Sequence, residues 1–165
     1  CSPMCAIILL KIKKDNCAAK ARAEDRRLTH TALVALKSKP TLCKEAEKAM
    51  NAYVRARDFA SGCISCGKRF EPGKIGGSCD AGHYRSKGSA IHCRFDERNV
   101  HAQCKHCNAA KGKAGNPVGY RRGLIAKIGL LAVEALEVDQ TLRKWTRDEL
   151  IALRAEYVAK LKEAS

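Results

Sequence analysis

The chain has 165 residues, with 32 Lys and Arg against 17 Asp and Glu, a formal charge of +15, and ten cysteines. So basic a balance in so short a chain points to a polyanionic partner, nucleic acid first. With 45% hydrophobic but only 5% aromatic residues, it can bury one modest core and an appended helical element, which excludes a large enzyme with its own cofactor fold.

The apolar run from Cys5 to Leu10 is far shorter than the roughly 20 residues of a membrane span, and it lacks a secretory layout. No membrane role is expected. The cysteines then belong to a reducing cytoplasm, where thiols hold metal or stay reduced more often than they form disulfides.

Cys1-Ser-Pro-Met-Cys5 reads equally as the remnant of a zinc knuckle truncated of its upstream ligands, or as two surface cysteines. Residues 1–40 form a basic helical segment: from Ile7 to Lys37 there is Ala, Lys, Arg and Leu with no Gly or Pro, so one long helix or a pair follows. Pro40 breaks it. Over 41–62, Leu42, Ala46, Ala49, Met50, Tyr53, Val54 and Arg57 keep helical spacing and form a helix that packs on the core. Residues 63–116 change texture, with six cysteines and four histidines among many glycines, a loop-dense region that metal must organise. Over 117–165 helices resume, running through Tyr120, Leu124, Ile128 and Leu131. A last helix starts after Trp145, with Thr146 and Glu149 as a capping box and Trp145 stapled onto Leu150. Its stripe of Leu150, Leu153, Tyr157 and Leu161 serves either the core or a dimer interface.

Cys63-Ile-Ser-Cys66 and Cys104-Lys-His-Cys107 are the strongest signal. Each C-x2-C turn aims two thiolates at one point, and two such turns complete a closed tetrahedral zinc site; a redox dithiol is the other reading. A closed site leaves no open position for catalysis, so this zinc is a staple. Four ligands being supplied, Cys17, Cys43, Cys79 and Cys93 read as free thiols, with a second zinc on Cys79 or Cys93 as the alternative. His30, His92 and His106 have no evident partner.

Between the turns lie Asp80-Ala-Gly-His83, Asn99 and His101, and Asn108 follows the last cysteine. Phosphodiester hydrolysis needs a water-activating base, a divalent ion and a group that orients the base, and this insert holds all three types. Asp80 and His83 face opposite sides of a regular strand, so a bulge at Gly82 is expected to bring them to one cleft.

These motifs resemble the HNH, or ββα-metal, endonucleases. D-x2-H and the CNAAKG run are similar to the phage endonuclease VII group. A wider resemblance, over Lys44 to Lys162, is to the phage lambda NinG (Rap) recombination protein family. It is carried by AMNAYVRARD, CISCG, DAGHYRS, RFDERNVHAQC, CNAAKG, PVGYRRGLIAKIG and KWTRDELIALRAEYVAKLK. The resemblance implies an α+β fold, a zinc-stapled HNH-like core flanked by helices, and a structure-specific endonuclease cutting Holliday junctions and D-loops. It implies His83 as general base, Asp80 and Asn108 as ligands of one catalytic Mg2+ or Mn2+, and Asn99 as brace of the loop between the strands. His101 reads as a participant or as a buried, hydrogen-bonded histidine. Endonuclease VII has an acidic residue where this chain has Lys111, which would instead face phosphate.

Around this cleft Arg69, Lys74, Arg85, Lys87, Arg94, Arg98, Lys105, Lys111 and Lys113, with Arg121, Arg122 and Lys127 on the following helix, suit a DNA backbone. Branched DNA, a homodimer and other recombination proteins are the expected partners, in the cytoplasm of a phage's bacterial host. Two other readings share the motifs: a sequence-specific HNH endonuclease, and a non-catalytic zinc-dependent nucleic-acid-binding module.

Overall fold

The computed structural model describes residues 3–73, 77–108 and 115–164. Two compact units divide the chain, Cys1–Ser38 and Lys39–Ser165. The first is one helix, α1 (Pro3–Leu36), exposed along almost its whole length, including Ile7, Ile8, Leu9 and Leu10. Cys5 sits exposed on it, and Cys1 lies outside the described residues. No described helix is long and apolar enough to cross a membrane.

The second unit is α+β: α2 (Lys39–Asp58), β1 (Cys79–His83), a 3-10 turn (Ile91–Phe95), β2 (Val100–Cys104), α3 (Pro117–Ile128), α4 (Leu130–Val138) and α5 (Arg147–Glu163). Helix α2 buries Leu42, Ala46, Met50, Val54 and Asp58, one residue per turn along a single face. That stripe meets α5, with the rings of Tyr53 and Tyr157 at 5.7 Å and the Tyr157 hydroxyl donating to the Phe95 carbonyl at 3.1 Å. Leu150 and Tyr157 of the terminal stripe are thus spent inside the chain, both buried, while Leu153 and Leu161 are half-buried.

Helix α5 begins as its sequence dictates, Thr146 accepting from the Glu149 N–H while the Glu149 carboxylate accepts from the Thr146 N–H. Trp145 packs edge-on to Phe95, ring centroids 5.0 Å apart, and donates to the Ile91 carbonyl. The continuous apolar pattern after Pro117 is broken in the structure at Gly129, whose φ of +85° admits no ordinary side chain. The chain reverses there, so α3 and α4 give Tyr120, Leu124, Val133 and Leu136 to one cluster with Ala90 and Cys93.

Strands β1 and β2 pair antiparallel in a one-to-one register from Cys79↔Cys104 to His83↔Val100. The bulge expected at Gly82 is absent, because every residue of β1 has a single partner. Gly82 instead meets close neighbours: a Cβ there would stand 1.9 Å from the Gln103 side-chain oxygen and 3.0 Å from that of Asn108.

Helix α3 seats on the first cysteine turn through two glycines four residues apart. A Cβ on Gly119 would lie 2.2 Å from the Ser65 carbonyl oxygen, and one on Gly123 would lie 1.9 Å from that of Ile64. Both obstacles are backbone and cannot swing aside. Gly123→Ala is therefore expected to cost about 1–3 kcal/mol in urea denaturation, despite the better helix propensity of Ala. An unchanged midpoint would show that α3 stands further from the turn.

Candidate functional site

The four thiols of Cys63, Cys66, Cys104 and Cys107 converge, all sulfurs lying within 4.8 Å of one another. Local geometry builds each half. The first turn closes through Gly67 N–H to the Cys63 carbonyl at 2.8 Å, the second through Asn108 N–H to the Cys104 carbonyl at 3.0 Å. The Cys66 and Cys104 sulfurs are 3.8 Å apart. Tetrahedral Zn–S bonds of about 2.3 Å place sulfurs about 3.8 Å from each other, so the cluster fits a structural metal such as zinc. Without a cation, burial and the neighbouring thiols push Cys107 up to about 12, so an ion is what would hold it as thiolate. Asn116 ties this centre to α3: its side-chain oxygen accepts from the Gly119 N–H at 2.9 Å, and its amide lies 3.8 Å from the Cys107 sulfur.

Beside the cysteines opens a cleft of about 380 Å³, lined by His83, Tyr84, Gln103, Asn108, Asn116 and Tyr120 among others. His83 ends β1, and its Nε2 stands 3.0 Å from the Arg94 carbonyl, which can only accept, so Nε2 carries the proton and Nδ1 is left as acceptor. Burial pushes the imidazole below its ordinary 6.5, outweighing the Arg94 carbonyl, and keeps it neutral near pH 7. The Asn108 amide donates to the Asp80 carboxylate at 3.4 Å. Asp80 does not itself line the cleft and touches it through Asn108, which lies in the cleft with His83.

Asn99 is wholly buried beneath the loop between the strands. Its Oδ1 accepts from the Arg85 N–H at 2.8 Å, and its amide donates to the carbonyls of Arg85 and Cys93 at 3.1 and 3.0 Å. The Tyr120 hydroxyl donates to the Gly82 carbonyl at 2.9 Å, fixing α3 against the strand.

His101 does not line this cleft. It is 2% exposed and sits against α2, Nε2 facing the Arg98 carbonyl at 3.2 Å and Nδ1 facing Arg57 at 3.0 Å and Asp58 at 3.3 Å. The buried Asp58 carboxylate also takes Lys127 at 2.7 Å, Arg57 at 2.9 Å and the Ala102 N–H at 3.1 Å. Burial alone would raise its pKa, but hydrogen bonds from His101, Arg57 and Lys127 hold it well below the usual carboxylate range. Spacing made Arg57 the end of an apolar face; the residue on that face is Asp58, four after Val54.

Asp58→Ala leaves these cations facing a hole and is expected to cost about 3–5 kcal/mol in denaturant. The depressed folded-state pKa means the stabilisation is full above the ordinary 3.8 and is lost as pH falls below it. Wild-type acid unfolding should therefore steepen below that pH, and Asp58→Ala should flatten it.

Most of the expected phosphate-facing cations have internal partners. Arg85 donates to the carbonyls of Leu136 and Asp139 and is turned inward to α4. Arg94 lies between the Cys43 sulfur, at 2.9 Å, and Glu47; Lys87 pairs with Glu47, Arg98 with Asp96, and Arg121 with Glu137. Arg122 is exposed in a neighbouring hollow that shares Tyr84 and Pro117 with the cleft, and Lys105 is exposed with Lys68, Arg69 and His106 around another hollow beside Cys66 and Cys104. Lys74, Lys111 and Lys113 lie outside the described residues.

Fold and site together define a small α+β protein built round a four-cysteine centre, with His83 and Asn108 in an adjoining cleft. All of it, residues 1–165, matches the family described as Bacteriophage Lambda NinG protein, and the chain belongs to that family. Curated relatives include protein ninG of Salmonella phage P22, 45% identical over 130 residues, and protein ninG of Escherichia phage lambda, 43% identical over 130 residues. These alignments take in 79% of this chain and 61% and 60% of the respective relatives. The chain thus spans less than two thirds of the length of these relatives. No solved structure matches it.

Proposed function

We propose that this protein is a metal-dependent, structure-specific DNA endonuclease that cuts branched recombination intermediates in the cytoplasm of the infected bacterium. The observation that carries the reading is the neutral His83 in one cleft with Asn108, itself bonded to Asp80, directly beside the four-cysteine centre. The chain order of β1, β2 and then α3 after the second cysteine turn suits the ββα-metal class.

In this reading the four cysteines staple the frame with zinc. His83 takes a proton from the attacking water at Nδ1, while the Arg94 carbonyl holds the ring by its other nitrogen. Asp80 and Asn108 hold one Mg2+ or Mn2+, hard donors for a hard ion, which supplies charge stabilisation at the scissile phosphate. Asn99 positions the loop that carries Arg94. Lys68, Arg69, Lys105 and Arg122 receive the DNA backbone, a charge-led mode that favours shape over sequence. A four-way junction needs two symmetric cuts and each chain offers one such cleft, so two chains act on it.

The deciding experiment incubates the protein with a four-way junction and a matched linear duplex, with and without Mg2+ or Mn2+. Metal-dependent cleavage of the junction in preference to the duplex is expected. Binding without cleavage would assign the chain to zinc-dependent nucleic-acid-binding modules, and equal cleavage of the duplex at one sequence would assign it to sequence-specific HNH enzymes.

A further inference from the structure

Away from the cleft, the 3-10 turn and the end of α4 bring together three potential metal ligands of different chemistry. A ring nitrogen of His92, the Cys93 thiol and the Asp139 carboxylate all lie within 4.8 Å of one another. The His92 side chain is only 9% exposed, and its Nε2 is buried without a hydrogen-bond partner. Such an atom costs free energy unless something fills its lone pair or takes its proton.

Asp139 Oδ2 stands 3.6 Å from that nitrogen, too far for a hydrogen bond. It is close to the roughly 3.4 Å edge of a tetrahedron with metal–nitrogen and metal–oxygen bonds of about 2.1 Å. The other carboxylate oxygen accepts from the Thr141 N–H and hydroxyl, at 2.9 and 2.6 Å, which orients Oδ2 toward the histidine.

We propose that His92, Cys93 and Asp139 form a second metal site, taking a divalent ion of zinc's class through imidazole, thiolate and carboxylate, and clasping the end of α4 to the 3-10 turn. Imidazole and thiolate select a borderline ion over Mg2+ or Ca2+. Thiolate and carboxylate balance its two charges, and the neighbouring Arg85 is already directed to the carbonyls of Leu136 and Asp139. Asp139 is 37% exposed, so water completes the fourth position from that side. The site shares no ligand with the four-cysteine centre or the cleft, and it does not depend on the nuclease reading.

The test titrates Co2+ into purified full chain stripped of metal and brought to one equivalent of zinc, which fills the four-cysteine centre and leaves the second site empty, following bound metal and absorbance. Zinc binds more tightly than Co2+ to such ligands and stays in place. One additional Co2+ per chain is expected, with a thiolate-to-cobalt charge-transfer band. Because Cys93 is fully buried, His92→Gln and Asp139→Asn are the deciding variants, with circular dichroism confirming their fold. Each should weaken the additional Co2+ by at least about 10-fold and leave the zinc bound. A folded wild type that takes up no additional Co2+, or equal uptake by wild type and both variants, overturns the proposal.

Discussion

His83→Ala is expected to lower cleavage of a four-way junction by about 10²-fold or more, the usual loss on removing a general base, while binding of the junction is retained. The substitution removes an imidazole that is neutral near pH 7, so the charge presented to DNA does not change. Nor does it touch a cysteine of the four-sulfur centre. Asp80→Asn and Asn108→Ala should lose cleavage differently. Their fault is weakened hold on the Mg2+ or Mn2+, so higher metal concentrations should recover part of the rate, whereas His83→Ala should not respond. Competition binding measured beside single-turnover cleavage separates these outcomes. Parallel loss of binding in all three variants would indicate disrupted folding, and a fully active His83→Ala would remove the histidine from the chemistry.

Cys104→Ser should have the largest effect on stability, with loss of the bound zinc and unfolding of the region around it. Among the described residues, the apolar neighbours of this centre are few: Phe70, Cys79 and Ala102 join the cysteines in their cluster. Burying one phenylalanine contributes about 2–3 kcal/mol. Structural zinc contributes on the order of 10 kcal/mol, comparable with the whole stability of an ordinary domain. The ion therefore dominates, and no repacking of so small a cluster offsets its loss. Zinc content by elemental analysis and thermal unfolding by circular dichroism check this together. A zinc-free Cys104→Ser protein with wild-type melting would show that the cluster folds without metal.

What the sequence made legible is what depends on local spacing. The paired C-x2-C turns and the Thr146–Glu149 capping box need only a few neighbouring residues and are formed in the structure, and the helix break expected at Pro40 falls just before it, with Pro40 in the first turn of α2. The relation of Asp80 to His83 was harder, because no bulge turns them to one side and Asp80 meets the cleft through Asn108, which comes from beyond β2. Gly129 resembles any glycine tolerated within a helix until its positive φ is seen. Gly119 and Gly123 carried a signal that spacing could have exposed, two residues without side chains on one helical face, but not the backbone they would meet.

Charge was the least legible property. Arg85, Arg94 and Arg121 are basic letters in a basic chain, and only the fold shows that their partners are α4 carbonyls, a cysteine sulfur and Glu137. Asp58 illustrates the reverse, a carboxylate at an apolar position because two cations, an imidazole and a backbone N–H converge on it.

If zinc fills the four-cysteine centre, the two cysteine turns also imply an order of assembly. Cys66 and Cys104 are separated by 38 positions, and closing a flexible loop of that length costs about 3 kcal/mol in chain entropy. Each two-cysteine turn, by contrast, is a ready chelate. A zinc ion would therefore be captured first by one turn, and closure by the other would enclose β1, Asn99 and His83 within the ring. Until that closure His83, Asn99 and Asn108 would lack a common frame, and a nascent chain would hold no formed cleft before such an ion was fully ligated. Metal supply would then time the appearance of the cleft as well as maintain it.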